Sequence, residues 1–320
     1  MTLRNWLLLL TLSVIWGATF PVAKYAVAEI PPLVLTFLRV FLAALCLHLV
    51  LIVRGIRFPV TPRLFAAFCL MGLLNNAIPF SLIFWGQTVL PASLASILNA
   101  TTPIFTVLVA ALLFRQEKLA AHRVAGIVLG FAGVAVLLLP GMDGAVLEGF
   151  SGAPLWAEAL CLGAALSYAF AASFARVFRG MPVLVSAAGQ LTGSSLLMLP
   201  LAVLQGTGAL SWGAADTMSW DPAATGLVAW VCVIALGVAC TALAYLIYFR
   251  LLMDAGATNA SLVTLLIPVS ACLIGISVLG ERLEMPQVAG MALLLLGLVV
   301  LDGRALAFAS RQRRSPSARG

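Results

Sequence analysis

The sequence predicts an all-α polytopic membrane protein in which ten transmembrane helices form two inverted five-helix repeats. Of the 320 residues, 63% are hydrophobic and 9% are charged, whereas a soluble domain carries roughly 25% charged residues. Because one membrane-spanning helix needs about 20 apolar residues, ten spans account for about 200 residues and leave short connections. A large soluble enzymatic or nucleic-acid-binding domain is therefore excluded, since no polar stretch is long enough to fold one.

Ten apolar runs, separated by charged residues, proline or glycine, give the helices in order. The first run follows Arg4 as a signal peptide would, but it exceeds the about 7 to 15 apolar residues of a signal core and ends at Lys24. We therefore predict it as a span. The predicted spans are residues 7–27, 33–53, 64–86, 92–114, 122–140, 155–175, 183–205, 225–249, 257–280 and 287–303.

The distribution of basic residues supports the count of ten helices. With the N-terminus inside, 15 of the 18 Lys and Arg residues fall in cytoplasmic segments, and the other three are Lys24, Arg39 and Arg282. Lys and Arg concentrate on the cytoplasmic side of membrane proteins. We therefore expect a multi-pass protein of the inner (plasma) membrane with both termini cytoplasmic.

An internal repeat divides the chain. Ala92–Pro103 aligns with Ala257–Pro268, and Glu117–Leu139 aligns with Glu281–Gly303. Five helices are an odd number, so the second copy must enter the membrane from the opposite side. Inverted repeats are typical of secondary transporters, whose substrate site lies at mid-membrane between the copies. The predicted parts are a first repeat at 1–141, a linker at 142–154, a second repeat at 155–304 and a cytoplasmic basic tail at 305–320.

Several motifs carry a family resemblance. The first copy contains Ala92–Ser96 and Phe114–Leu119, the second contains Val278–Leu283, and Trp16-Gly17 and Leu38-Arg39 lie in the first two helices. Over about residues 5–303 these motifs resemble the EamA-type repeat of the drug/metabolite transporter superfamily; the first copy departs by one extra residue before its glutamate. The resemblance implies a ten-helix transporter that alternately opens a central cavity and exports amino acids, related metabolites or drugs. Within the family, the chain is most similar in type to aromatic amino-acid exporters.

Polar and aromatic residues within the spans are the candidate substrate-binding residues, because lipid offers polar groups no hydrogen-bond partner. Amide, hydroxyl and aromatic side chains would form a neutral cavity suited to zwitterionic or mildly amphipathic molecules. The alternative for each residue is a packing role between helices. The predicted substrate-binding residues are Trp16, Asn75, Asn76, Phe80, Asn99, Thr102, Tyr168, Thr241, Tyr245 and Thr264.

Arg39 has two interpretations. It lies about 9 Å along the second helix from its outer end, at 1.5 Å per residue, which is within snorkelling range of the interface. We interpret Arg39 as fixing the helix end. In the alternative, it pairs with a substrate carboxylate or with an acidic residue such as Glu158.

No span holds a carboxylate near its centre, so no proton relay is evident and we favour a facilitator.

The predicted function is a membrane transporter that moves amino acids or related small metabolites out of the cell by alternating access. The alternatives are a membrane channel and a polytopic membrane enzyme. The sequence contains no HExxH or GxSxG motif, and His48 and His122 lie at predicted helix ends. We therefore expect no catalytic residues, no metal and no cofactor. The expected partners are a small-molecule substrate and the lipid bilayer, without nucleic acid, for a monomer or homodimer.

Overall fold

The computed structural model describes residues 1–59, 61–115, 119–138, 154–210 and 219–303, apart from the side chains of residues 257 and 258. Every regular element in these ranges is a helix. Nine of these helices are long and apolar enough to span a membrane, and a shorter apolar helix is the tenth. The all-α polytopic fold is confirmed. The helices are α1 Leu3–Val27, α2 Pro32–Val53, α3 Pro62–Gln87, α4 Ala92–Leu113, α5 Ala121–Leu138, α6 Leu155–Phe178, α7 Val183–Gly206, α8 Leu227–Ala255, α9 Val263–Leu279 and α10 Met285–Asp302.

Two of the predicted spans are interrupted in the structure. In α4, regular α-helix ends at Asn99 and resumes at Thr102, and the Thr101 N–H bonds to the Leu98 carbonyl across a tightened turn. The cause is Pro103, which has no N–H to donate to the carbonyl of Asn99, four residues earlier. The span predicted at 257–280 is divided into a short helix, Ala257–Ala260, and α9. Three parts of the predicted organisation lie outside the described residues. They are Glu117 of the first repeat, most of the linker 142–154 and the tail 305–320.

Many contacts between helices have a counterpart in which each helix is replaced by the one at the same position in the other half of the chain. The first half comprises α1–α5 and the second half α6–α10. Helices at the same position in each half pack together, as in α5 with α10, α2 with α7 and α4 with α9. The contact of α1 with α9 is matched by α6 with α4, and the contact of α3 with α6 is matched by α8 with α1. The contact of α3 with α7 is likewise matched by α8 with α2. The two halves therefore interlock over most of their length.

The contact between α5 and α10 is a seam of glycines. Gly126, Gly130 and Gly133 share one face of α5; on α10, Gly297 lies against Gly126 and Gly130, and Gly290 lies against Gly133. A side-chain carbon added at Gly297 would lie 2.6 Å from the Gly130 amide nitrogen and 2.8 Å from the Gly126 carbonyl oxygen. Backbone atoms cannot move aside as a flexible side chain can, so the absence of side chains permits this close approach.

Replacing Gly297 by Ala is expected to destabilise the protein by about 1–3 kcal/mol, because the methyl group meets the backbone of α5. The matched control is Gly163→Ala in α6, where the added carbon would meet Leu82 Cδ1 at 3.4 Å, an ordinary contact. There, the better helix propensity of Ala adds up to about 1 kcal/mol of stability. Thermal unfolding in detergent measures both variants. Equal midpoints for the two would contradict the glycine seam.

Candidate substrate-binding site

A hydrogen-bonded cluster of amide and phenol groups lies at the centre of the helix bundle. The Asn75 Nδ2 group donates to Gln190 Oε1 at 3.1 Å and to the Tyr245 hydroxyl at 3.4 Å. The Tyr245 hydroxyl in turn donates to Asn76 Oδ1 at 3.4 Å. Asn75 and Asn76 belong to α3 in the first half, whereas Gln190 and Tyr245 belong to α7 and α8 in the second. The cluster therefore joins the two halves.

Local widening of the helices places these side chains. Leu73–Ala77 in α3 and Ala235–Leu243 in α8 are π-helical, a rare geometry that is frequent at functional sites. In α3 the widened turn ends two residues before Pro79, which has no N–H to donate to the carbonyl of Asn75. Widening the helix here therefore loses no α-helical hydrogen bond at the Asn75 carbonyl. Asn75 and Asn76 lie within the widened segment of α3, and Tyr245 follows that of α8 by two residues.

Arg39 is buried beside this cluster. The residue is 5% exposed, and its guanidinium carbon lies 3.8 Å from the centre of the Phe80 ring and 5.7 Å from that of Phe84. Its Nε donates to Thr241 Oγ1 at 3.0 Å. The interpretation that Arg39 fixes the end of α2 is therefore wrong, because its side chain turns into the bundle and not towards the interface. The position of Arg39 along α2 does not determine the direction in which its side chain points.

Two buried amide groups in the helix bundle have unused hydrogen-bonding capacity. Asn76, in the central cluster, is 0% exposed, and its Nδ2 donor has no hydrogen-bond partner in the described part of the chain. The buried Oδ1 acceptor of Asn99, in α4, is likewise without a partner there. A buried polar group without a partner carries a desolvation cost of about 1–3 kcal/mol. A solute that accepts from Asn76 would remove this cost at the cluster.

The remaining candidates divide into two groups. Tyr168 is within electrostatic range of Arg39 and Tyr245, so it belongs with the central cluster. Trp16 packs on Tyr248, with ring centres 5.5 Å apart, and no direct contact joins it to the cluster in the described residues. The hydroxyls of Thr102 and Thr264 each donate to the carbonyl three residues earlier in the chain, that of Asn99 and that of Ser261, both at 2.7 Å.

Gln190 is a cluster residue that the sequence reasoning missed. It lies in α7 close to the small polar residues Thr192, Ser194 and Ser195. The cost of a polar amide inside a membrane could have identified it, as it identified Asn75.

A second missed feature closes the end of the bundle where α4 begins. Glu281, in the turn between α9 and α10, accepts hydrogen bonds from the backbone N–H of Ala92 at 2.6 Å and of Ser93 at 3.0 Å. The Ser93 hydroxyl also donates to this carboxylate. The first N–H groups of a helix have no partner within it, and its N-terminus favours negative charge. Glu281 therefore caps α4 and joins the second half to the first.

At the opposite end of the bundle, an ion pair joins α1 to α8. The Asp254 carboxylate lies 3.6 Å from the Arg4 guanidinium and 2.9 Å from that of Arg250. Arg4 belongs to the first half and Asp254 to the second. Each end of the bundle thus has a polar contact between the halves, and the central cluster lies between these two contacts.

Known proteins are similar over nearly the whole chain. The EamA-like transporter family matches residues 4–139 and 155–301. An uncharacterized transporter from Archaeoglobus fulgidus is 26% identical over 305 residues, which cover 93% of this chain and 99% of that protein. A probable amino-acid metabolite efflux pump from Salmonella typhimurium is 27% identical over 305 residues, which cover 94% of this chain and 95% of that protein.

A solved structure described as "Crystal structure of protein" has a TM-score of 0.63 and 21% identity, and the likeness covers 98% of this chain and 100% of that chain. At this identity the likeness shows the fold alone. The family match establishes membership, because its two segments together cover most of the ten helices. The chain belongs to the EamA-like transporter family and is a multi-pass membrane transporter.

Proposed function

We propose that this transporter exports amino acids or related small metabolites by alternating access through a central cavity between two inverted repeats, residues 1–141 and 155–304. The observation that carries the proposal is the cluster of Asn75, Asn76, Gln190 and Tyr245, in which both halves contribute side chains midway along their helices. Inverted-repeat transporters bind substrate at such a position. The name of the Salmonella relative supports amino-acid metabolites as the cargo.

The contacts at the two ends of the bundle support alternating access. Glu281 links the halves at one end, and the Arg4–Asp254 ion pair links them at the other. Each link consists of a few polar contacts, so either can break while the other holds. By the positive-inside rule, the Glu281 end faces outward and the Asp254 end faces the cytoplasm, where both termini lie. The protein then acts in the cell membrane, as a monomer or homodimer.

The driving force in this proposal is the gradient of the solute itself. In the described residues, the groups that form the central cluster and contact Arg39 are amides, hydroxyls and aromatic rings. Proton-driven pumps commonly use Asp, Glu or His within the membrane. A facilitator or exchanger needs no such group.

Reconstituted protein is expected to release radiolabelled L-amino acids from liposomes faster than protein-free liposomes do. The 20 standard amino acids are loaded one at a time, and efflux is followed with and without an imposed pH gradient. Efflux should be independent of that gradient for a facilitator. Failure to move any amino acid under either condition would contradict the proposed cargo.

Counterflow separates a transporter from a channel in the same liposomes. An unlabelled amino acid inside should drive transient accumulation of the labelled form, because an alternating-access site returns with solute bound. A pore would show no accumulation and no saturation with concentration, and that result would overturn alternating access.

A further inference from the structure

We propose that Arg39 binds a carboxylate of the transported solute, so that the substrates of this protein are small carboxylates, including α-amino acids, and not their uncharged or cationic analogues. This inference rests on the proposed function, since it names the chemical class of solute that the central site accepts. It assigns Arg39 as the residue that determines specificity.

The first argument is the charge of Arg39. The residue is 5% exposed, and no carboxylate lies within ion-pair distance of it in the described ranges. A buried charge without a counter-ion is strongly disfavoured and is retained where it has a function. The contacts with Phe80 and Phe84 offset part of the desolvation cost. They do not neutralise the charge, and a bound anion would.

The second argument is the number of hydrogen-bond donors on Arg39. A guanidinium carries five N–H donors in a planar fork and cannot be deprotonated. Thr241 Oγ1, which receives one of them from Nε, is the single acceptor for Arg39 among the described residues. Four N–H groups on the two terminal nitrogens remain. This fork matches the two oxygens of one carboxylate.

The third argument is the chemistry of the neighbouring groups. Asn76 Nδ2 is a buried donor without a partner among the residues that the structure describes, and the hydroxyls of Tyr168 and Tyr245 are in electrostatic range of Arg39. An ionised carboxylate only accepts hydrogen bonds, so it suits the unused donors of Arg39 and Asn76 at one fixed positive charge. A phosphate would favour several cationic side chains, and Arg39 is the one cation that the described contacts place at this cluster.

The test compares each of the 20 standard L-amino acids with its α-carboxamide, by isothermal titration of the purified full-length protein. We expect the wild-type protein to bind the acids at least about 10-fold more tightly, because the hydrogen bonds to a charged group are lost in the amide. Arg39→Gln should abolish this preference, and Arg39→Lys, which keeps the charge without the fork, should retain part of it. Arg57→Gln, at an exposed position between α2 and α3, is the control and should keep all of it.

Folding is checked by thermal unfolding of the empty protein. Arg39→Gln should not lower the midpoint, because the variant removes a buried charge that no carboxylate of the described residues pairs with. If Arg39→Gln does not fold, Thr241→Val provides the test. It leaves the charge in place but removes the acceptor that orients Nε, and we expect the acid preference to fall about 3- to 10-fold.

Three results would overturn the inference: equal binding of acids and amides by the wild-type protein, an unchanged preference in Arg39→Gln, or an unchanged preference in Thr241→Val. A wild-type protein that binds no member of any pair would instead contradict the proposed function itself, and the inference with it. The failure of the specificity claim is thus distinguishable from the failure of amino-acid transport.

Discussion

Replacing Glu281 by Gln is expected to accelerate the reaction of Cys272 with a maleimide by about 10-fold or more. Cys272 is a buried residue of α9 that lies against Ser93 and Ser96 of α4, so it reacts when the helices at that end separate. Glu281 holds the end closed through the Ala92 and Ser93 amides. Charge-assisted hydrogen bonds contribute about 1.5–3 kcal/mol, and their loss raises the open population by the corresponding factor.

The experiment uses protein in detergent with the other five cysteines replaced by alanine. The matched control is Glu284→Gln, three residues further along the same turn. Glu284 caps α10 and forms a capping box with Gln287, so it makes a similar interaction within a single helix and should leave the reaction rate of Cys272 unchanged. Equal rates in Glu281→Gln and the unaltered protein would show that this contact does not hold the bundle closed.

Replacing Asn76 by Leu is expected to reduce amino-acid binding by more than about 10-fold. Asn76 is completely buried and accepts from Tyr245 through Oδ1, and its Nδ2 donor has no partner in the described part of the chain. Leu has a similar volume but neither polar atom. A solute therefore loses the hydrogen bond that Asn76 Nδ2 would donate to it, and it faces an apolar surface. Stability of the empty protein should change little, because an unsatisfied buried donor is removed together with one long hydrogen bond.

The control for Asn76 is Gln205→Leu, which also removes a buried amide. Gln205 Oε1 accepts from the backbone N–H of Leu33 at 2.8 Å, at the start of α2 and away from the cluster. This variant should lower the thermal midpoint but preserve the shift that a bound amino acid produces, whereas Asn76→Leu should do the reverse. A normal ligand-induced shift in Asn76→Leu would remove α3 from the binding site.

The fold could be predicted well from the sequence because the membrane imposes long apolar runs, and hydropathy identifies such runs without any knowledge of tertiary structure. The same physics identified Asn75 and Asn76, since amides at the centre of α3 need partners within the protein. Their partner Tyr245 is also among the predicted substrate-binding residues. These predictions depend on how deep a residue lies in its span, which the sequence shows directly.

What could not be predicted depends on direction and on long-range pairing. The depth of Arg39 was known, but its direction, towards Phe80 and not the interface, is set by the neighbouring helices. The cap formed by Glu281 joins it to Ala92, 189 positions away, and no local pattern specifies which helix ends meet. Hydrophobic periodicity also assumes a uniform helix, so it could not show the widened turns.

The π-helical segments of α3 and α8 make the site sensitive to the winding of these helices. A π-helical turn contains more residues than an α-helical turn, so each residue in it turns the chain by less than the about 100° of an α-helix. If Ala235–Leu243 wound as a regular α-helix with every residue kept, Tyr245 would turn around the axis of α8 relative to the start of that helix. Its hydroxyl would then move away from Asn75 and Asn76. A change in winding alone, without any change in composition, would thus present a different face of α8 to the solute.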